Sequence, residues 1–287
     1  MSDSVKVAGI YDTHCHYEGY WDETTFARLL AEAKSVGLID SVTCPHDACR
    51  FREHVDFCRR FGLSFALGIH PFEWQEKDRH LQSLDAFLGK YSDELVAIGE
   101  IGLDFSELRH QELWPDVDRR TSQARQIELF ETQLEIARDL ALPVSVHAFG
   151  AMNAVEQSVK KFRGLHGVIH AFNGSAEQAK QFNKLGFLVG FGGTLTYAGS
   201  KKIRRVFCEL PDSAWVLETD APWIPSARRR EISSDIDSRS VQSVPADIDD
   251  TVRAAAQLRQ TSREVICEIA CRNSLEIFPK LRPVPLA

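Results

Sequence analysis

Short apolar runs alternate with longer amphipathic stretches from one end of this chain to the other, and few folds satisfy that pattern. The runs fall at residues 5–14, 41–44, 64–70, 96–103, 144–147, 168–172, 187–191 and 215–218. Their continuous apolar character predicts strands buried on both faces and paired in parallel. The stretches between them carry apolar residues at helical spacing. In residues 119–140, Ile127, Phe130, Leu134 and Ala137 recur at that spacing while Glu128, Glu131 and Glu135 face elsewhere. Further helices are expected at 23–36, 48–61, 81–91, 152–162, 176–185 and 201–208, and two more close the chain at 247–258 and 263–277. Eight strand–helix units predict an α/β fold, a (β/α)8 barrel with an extra C-terminal helix.

A length of 287 residues suits either one such barrel or two smaller domains. No Pro-, Gly- or Ser-rich linker divides the chain, so residues 1–287 read as a single domain. The irregular segment 225–245 follows the last strand and is long for a connection. It reads as a functional loop over the barrel mouth or as a solvated insertion. No run of 18 apolar residues is present, which argues against a membrane partner. The start, Met1-Ser2-Asp3-Ser4, lacks a secretory pattern, and seven scattered cysteines suit reduced thiols and a cytoplasmic setting. A net charge of −7 argues against coating nucleic acid through bulk charge but permits local grip on a phosphodiester. Nothing forces oligomerisation, and a monomer is compatible with the sequence.

Chemistry-bearing residues gather at the strand ends. His14 and His16 end the first run, two apart and so on one face of a strand. Glu100 ends the fourth, His147 the fifth, His170 the sixth and Asp220 the eighth. In such a barrel the C-terminal strand ends surround one mouth. Four imidazoles and two carboxylates meeting there carry a desolvation cost that divalent cations offset, and such cations also activate water. A nitrogen and oxygen donor set without thiolate suits Zn²⁺, Mn²⁺ or Mg²⁺. Cys15 should point away from its flanking histidines.

The motifs Asp12–His16, Gly68–Pro71, Gly99–Asp104, Pro143–His147, His170–Ser175 and Glu218–Pro222 resemble, in order and over nearly the whole chain, the TatD family of metal-dependent deoxyribonucleases. The resemblance implies a TIM barrel of the amidohydrolase type and two-metal phosphodiester hydrolysis, often as a 3′→5′ exonuclease, on DNA and possibly RNA. It implies two divalent ions: the first on His14, His16, Glu100 and Asp220, the second on His147 and His170 with Glu100 bridging. Ions about 4 Å apart share a hydroxide. Glu100 and Asp220 are then the catalytic carboxylates, with Asp220 taking the proton of the attacking water.

Around that set, His70 reads either as a phosphate donor or as a packed histidine. Asp12 is a candidate to orient a ligand histidine, and Glu218 either does likewise or pairs with a buried base. The chain departs from the family after His147, where Ala148-Phe149-Gly150 replaces a Ser-Arg-acidic run. It departs again after Pro222, where Arg228, Arg229 and Arg230 stand in place of Arg-Gly-Lys. Those arginines are candidate substrate contacts at a basic rim, or an ordinary solvated charge run. Phe149, Phe172, Trp223 and Trp74 follow strand ends and are candidates to stack on bases or to pack the mouth. His46, His54, His80, His110 and His166 lack a second ligand at metal spacing, and Cys267 and Cys271 read as buried thiols. Two other readings stay open. One is an amidohydrolase acting on a small amide, lactone or phosphoester, although many such barrels carry a bridging lysine where this chain has Glu100. The other is a non-catalytic binding barrel.

Overall fold

The computed structural model describes residues 9–233, 237 and 240–283. The expected strand residues Val5 to Ala8, and parts of the 225–245 segment, lie outside them. Eight strands follow in chain order: β1 (Ile10–Cys15), β2 (Leu38–Thr43), β3 (Ser64–Leu67), β4 (Ala97–Asp104), β5 (Val144–Phe149), β6 (Gly167–Ile169), β7 (Phe187–Phe191) and β8 (Trp215–Leu217). Each pairs in parallel with the next, from β1 through to β8. The seam between β8 and β1 is drawn together by other bonds. Thr13 Oγ1 donates to Leu217 O at 3.0 Å, and the Asp12 carboxylate accepts from Thr219 N and Oγ1 at 2.9 and 2.6 Å. Asp220 N donates to His14 O and His16 N to Ala221 O. The result is a TIM barrel.

Eleven α-helices surround it among the described residues: α1 (Glu23–Ser35), α2 (Phe51–Phe61), α3 (Lys77–Tyr91), α4 (Glu107–Leu113), α5 (Arg119–Asp139), α6 (Met152–Val159), α7 (Ala176–Lys184), α8 (Lys201–Glu209), α9 (Ala227–Ile232), α10 (Ile248–Arg259) and α11 (Arg263–Ile277). Their ends follow ordinary chemistry. Asp22 caps α1 through Thr25 N, Ser175 and Gln178 form a reciprocal capping box on α7, and Gly62 ends α2 in the left-handed region at φ 67°. The short helices α4 and α9 were not expected. Neither buries a side chain, so no apolar stripe marks them, and each starts on a serine cap, Ser106 or Ser226.

The core has two layers. Outward strand residues such as Ile98, Ile101, Val144, Val146 and Leu217 pack under helix residues such as Phe130, Leu134, Phe182 and Phe207. Inside the barrel, Tyr11, Val42, Ala66, Ala97, Val168 and Val216 come one from each of six strands and meet Phe278 and Leu281. The chain after α11 thus plugs the bottom of the barrel, and Tyr11 Oη donates to Arg282 O at 2.6 Å. Long α5 also buries polar residues. Gln133 bonds both Ile69 N and Ile69 O, and Gln126 accepts from Asp104 N, which ties the tops of β3 and β4 to one helix. Among the described residues no helix is long and apolar enough to cross a membrane.

Candidate metal centre

Two bulges decide which side chains enter the mouth. Between Asp12 and Cys15 three steps of β1 run against two of β2, and between Ile98 and Ile101 three steps of β4 run against two of β5. Each extra residue reverses the in–out alternation. Tyr11 and Ala97 face the barrel interior. Strict alternation from them would turn His14, His16 and Glu100 outward. After the bulges all three face inward, and Cys15 points away with Sγ 3.6 Å from Val42 O. Small residues lie beneath Glu100: a Cβ on Gly99 would lie 2.8 Å from Ser145 Cβ.

The six expected ligands converge. His14 Nε2 lies 3.1 Å from His16 Nε2, and both face Glu100 Oε2 at 3.6 and 3.3 Å and Asp220 Oδ1 at 3.8 and 3.7 Å. The other oxygen of Glu100, Oε1, faces His147 Nδ1 at 2.8 Å and His170 Nε2 at 2.6 Å. One carboxylate therefore divides its two oxygens between two groups of donors. His14, His16 and Asp220 form one group close enough to hold an ion, and His14, Glu100 and His170 form another.

Hydrogen bonds on the far sides of the rings prepare them for this. His16 Nδ1 faces Cys44 O at 3.1 Å, and a carbonyl can only accept, so the ring proton sits on Nδ1 and the Nε2 lone pair aims at the cluster. His147 turns Nε2 to Asp104 Oδ2 at 3.1 Å, which leaves Nδ1 inward. His14 Nδ1 meets Ser145 Oγ at 2.8 Å. His170 differs, for its Nδ1 is buried with no hydrogen-bond partner among the described residues. Lone pairs and carboxylate oxygens so close repel unless positive charge lies between them. Protons show the same demand. Burial works against charge on His147, but bonds to Asp104 and Glu100 outweigh it and push its pKa to about 10. Burial likewise opposes the charge of Glu100, yet His170 and the bonds to His14 and His147 hold it well below the usual carboxylate range. Burial raises Asp220 against the pull of His170 and His16. The nitrogen and oxygen donors suit a hard or borderline divalent ion. Cys44 lies 3.7 Å from His14 Nδ1, but burial raises its thiol well above the usual range, which keeps thiolate out of the set.

The surrounding residues are arranged partly otherwise than expected. Asp12 orients no imidazole. Its carboxylate accepts from Thr219, Tyr17 Oη and the His14 backbone, because its place at the seam lets it join β1 to β8. Glu218 accepts from Ala171 N beside His170, in space left by Gly190, and so touches backbone and not a ring. Arg228, Arg229 and Arg230 do not line the cavity at the mouth. Arg228 pairs with Asp250 and Arg229 with Asp247, on or beside α10, and Arg230 lies over Tyr197. His70 does line the cavity. Its Nδ1 accepts from Phe72 N, so Nε2 carries the proton and points toward Glu100 Oε1, 3.7 Å away. Burial lowers its pKa to about 3, which keeps it a neutral donor. Cys267 is buried, and Cys271 is part-buried against Gly9 O.

Sequence reasoning missed Asp104, Ser145 and His46. Asp104 closes the Gly99–Asp104 motif and its spacing from Glu100 puts both on one strand, but nothing local shows which imidazole it meets. His46 follows β2 and enters the cavity, of about 890 Å³, beside His16.

Residues 11–279 match the family model for TatD-related DNases. The chain is 29% identical over 276 residues to an uncharacterized metal-dependent hydrolase of Haemophilus influenzae, covering 93% of this chain and 98% of that one. It is 25% identical over 283 residues to deoxyribonuclease TATDN3 of Homo sapiens, covering 96% of each. The crystal structure of YjjV, a TatD homologue from Escherichia coli, superposes with a TM-score of 0.81 at 27% identity, over 96% of this chain and 99% of that one. With a family model spanning almost all of the barrel and relatives matching end to end, the chain belongs to the TatD-related DNase family, as a metal-dependent hydrolase of the TatD type.

Proposed function

We propose that this protein is a deoxyribonuclease that shortens DNA from its 3′ end by hydrolysing phosphodiester bonds, with RNA ends as a further substrate. The division of the two Glu100 oxygens between His14 and His16 on one side and His147 and His170 on the other carries the reading. Two divalent ions, Zn²⁺, Mg²⁺ or Mn²⁺, fit that arrangement: His14, His16 and Asp220 would hold one, His147 and His170 the other, and Glu100 both. Bound there, they would neutralise phosphate charge and lower the pKa of water. The chain's own groups do the rest. Asp220, at the rim of the cluster, accepts the proton of the attacking water. His70 donates Nε2–H to a phosphate oxygen. Arg109, which also lines the cavity, replaces the phosphate contact that Ala148 and Phe149 do not offer. The deoxyribonuclease name of the human relative supports DNA as the substrate.

Metal content by mass spectrometry, followed by incubation with end-labelled single- and double-stranded DNA in Mg²⁺, Mn²⁺ or Zn²⁺, tests the reading. Stepwise shortening is expected. Inertness on nucleic acid with turnover of a small ester would favour the amidohydrolase reading. Asp220→Asn should lower cleavage at least about 100-fold, the scale of a lost general base, with an unchanged melting curve. Retained cleavage removes Asp220 from proton transfer.

A further inference from the structure

We propose that Trp223, braced by His46 and Tyr20, is a nucleobase platform: the base of the nucleotide beside the scissile bond stacks on its open face. This rests on the phosphodiester reading above and names the part of the substrate that the pocket recognises.

Trp223 is 52% exposed, yet it lines the same cavity as His16, Glu100 and Asp220. Its backbone N–H donates to Asp220 O at 2.7 Å, which fixes the residue to the edge of the ligand set. Tyr20 meets the ring edge-on at 5.5 Å and His46 lies against it at 5.7 Å. His46 in turn lies 6.4 Å from His16. A continuous aromatic surface therefore runs from a ligand histidine to the rim, and its outermost ring is held in place. A rigid ring loses little entropy when a base stacks on it.

The other three aromatic candidates do not match this. Phe172 and Trp74 are buried in the core. Phe149 is exposed in the cavity but stacks on no ring among the described residues, so nothing braces it.

Charge narrows the choice further. Carboxylates of Asp47, Glu73, Glu76 and Asp104 line the cavity beyond the ligand set, and among the described residues Arg109 is the sole arginine or lysine that lines it. A polyanion finds little attraction there once its scissile phosphate is seated. Affinity for a nucleotide end must come from an uncharged part, and the base is the part with a π face.

The test compares a base with its absence. Binding of deoxyadenosine monophosphate and of 2-deoxyribose 5-phosphate is measured by calorimetry, and cleavage is measured on single strands whose terminal nucleotide is ordinary or abasic. The wild-type protein should favour the base-bearing ligand in binding and in KM by about 5- to 150-fold, the range of one base stack. Trp223→Ala should bring that ratio close to one, and Trp223→Phe should keep most of it. A wild-type ratio of one, or a ratio that survives Trp223→Ala, overturns the platform. A Trp223-dependent ratio in binding, with neither strand cleaved by the metal-loaded protein, supports the platform and overturns the nuclease reading instead.

Discussion

His147 offers Nδ1 to the cluster because its Nε2 is already committed to Asp104. A ligand imidazole needs such a partner to hold its ring plane and its tautomer. Asp104 is itself fixed, since its backbone N–H bonds Gln126 and its carboxylate accepts from Ser106 N. Asp104→Ala should therefore weaken divalent-ion affinity about 10- to 100-fold, measured by competition with a chelating dye. Asp104→Asn, which keeps an acceptor, should lose much less. Equal affinity in all three proteins would show that His147 needs no help. At the same scale the serine and the carbonyl behind His14 and His16 act alike: Ser145 lies on β5 and Cys44 just after β2, so neither pairing follows from neighbours in the chain.

Among the elements, β4 carries the heaviest constraint. Its motif Gly99-Glu100-Ile101-Gly102 must bulge against β5 and still keep the ladder that resumes at Ile101 and Val146. Gly102 sits at φ 142°, and a Cβ there would run into the carbonyl oxygen of His147. L-residues with a side chain rarely adopt that backbone, and the obstacle is backbone, which cannot swing away. Gly102→Ala should cost at least about 3 kcal/mol in urea unfolding and disturb His147 in the same step. A loss below about 1 kcal/mol would mean that β4 and β5 can part locally without harm. The helices contribute differently. α5 uses Gln126 and Gln133 to pin strand tops, whereas α9 draws Arg229 toward Asp247 and away from the mouth.

For the whole molecule, the division of labour runs along the barrel axis. The C-terminal strand ends carry the donors, while the N-terminal end is filled by Phe278 and Leu281 against Tyr11, Val168 and Val216. Phe278 is fully buried. Phe278→Ala should cost about 3–5 kcal/mol of stability, the range for a large core truncation. Divalent-ion affinity of the folded protein should hold, because the plug lies at the far end from the cluster. A parallel loss of affinity in calorimetry would show that the plug sets the shape of the mouth.

Periodicity alone made the barrel legible, because eight parallel strands covered by helices leave their mark in every segment that must bury an apolar face. The order of His14, His16, Glu100, His147, His170 and Asp220 at successive strand ends made the cluster legible too, since a barrel brings those ends to one mouth. The short helices α4 and α9 left no such mark because they bury nothing. Tertiary structure decided the rest. Strict alternation would have sent His14, His16 and Glu100 to the outer face, and only strand pairing with an extra residue on β1 and β4 turned them inward. It also decided that Arg228 and Arg229 of α9 would find acids, that Asp12 would join strands, and that Trp223 would stay half exposed at the cavity. Local pattern records what each segment must bury. The partner of a charge or a lone pair is chosen by groups that only the fold brings near, from 18 residues away for Arg229 and Asp247 to 207 for Asp12 and Thr219.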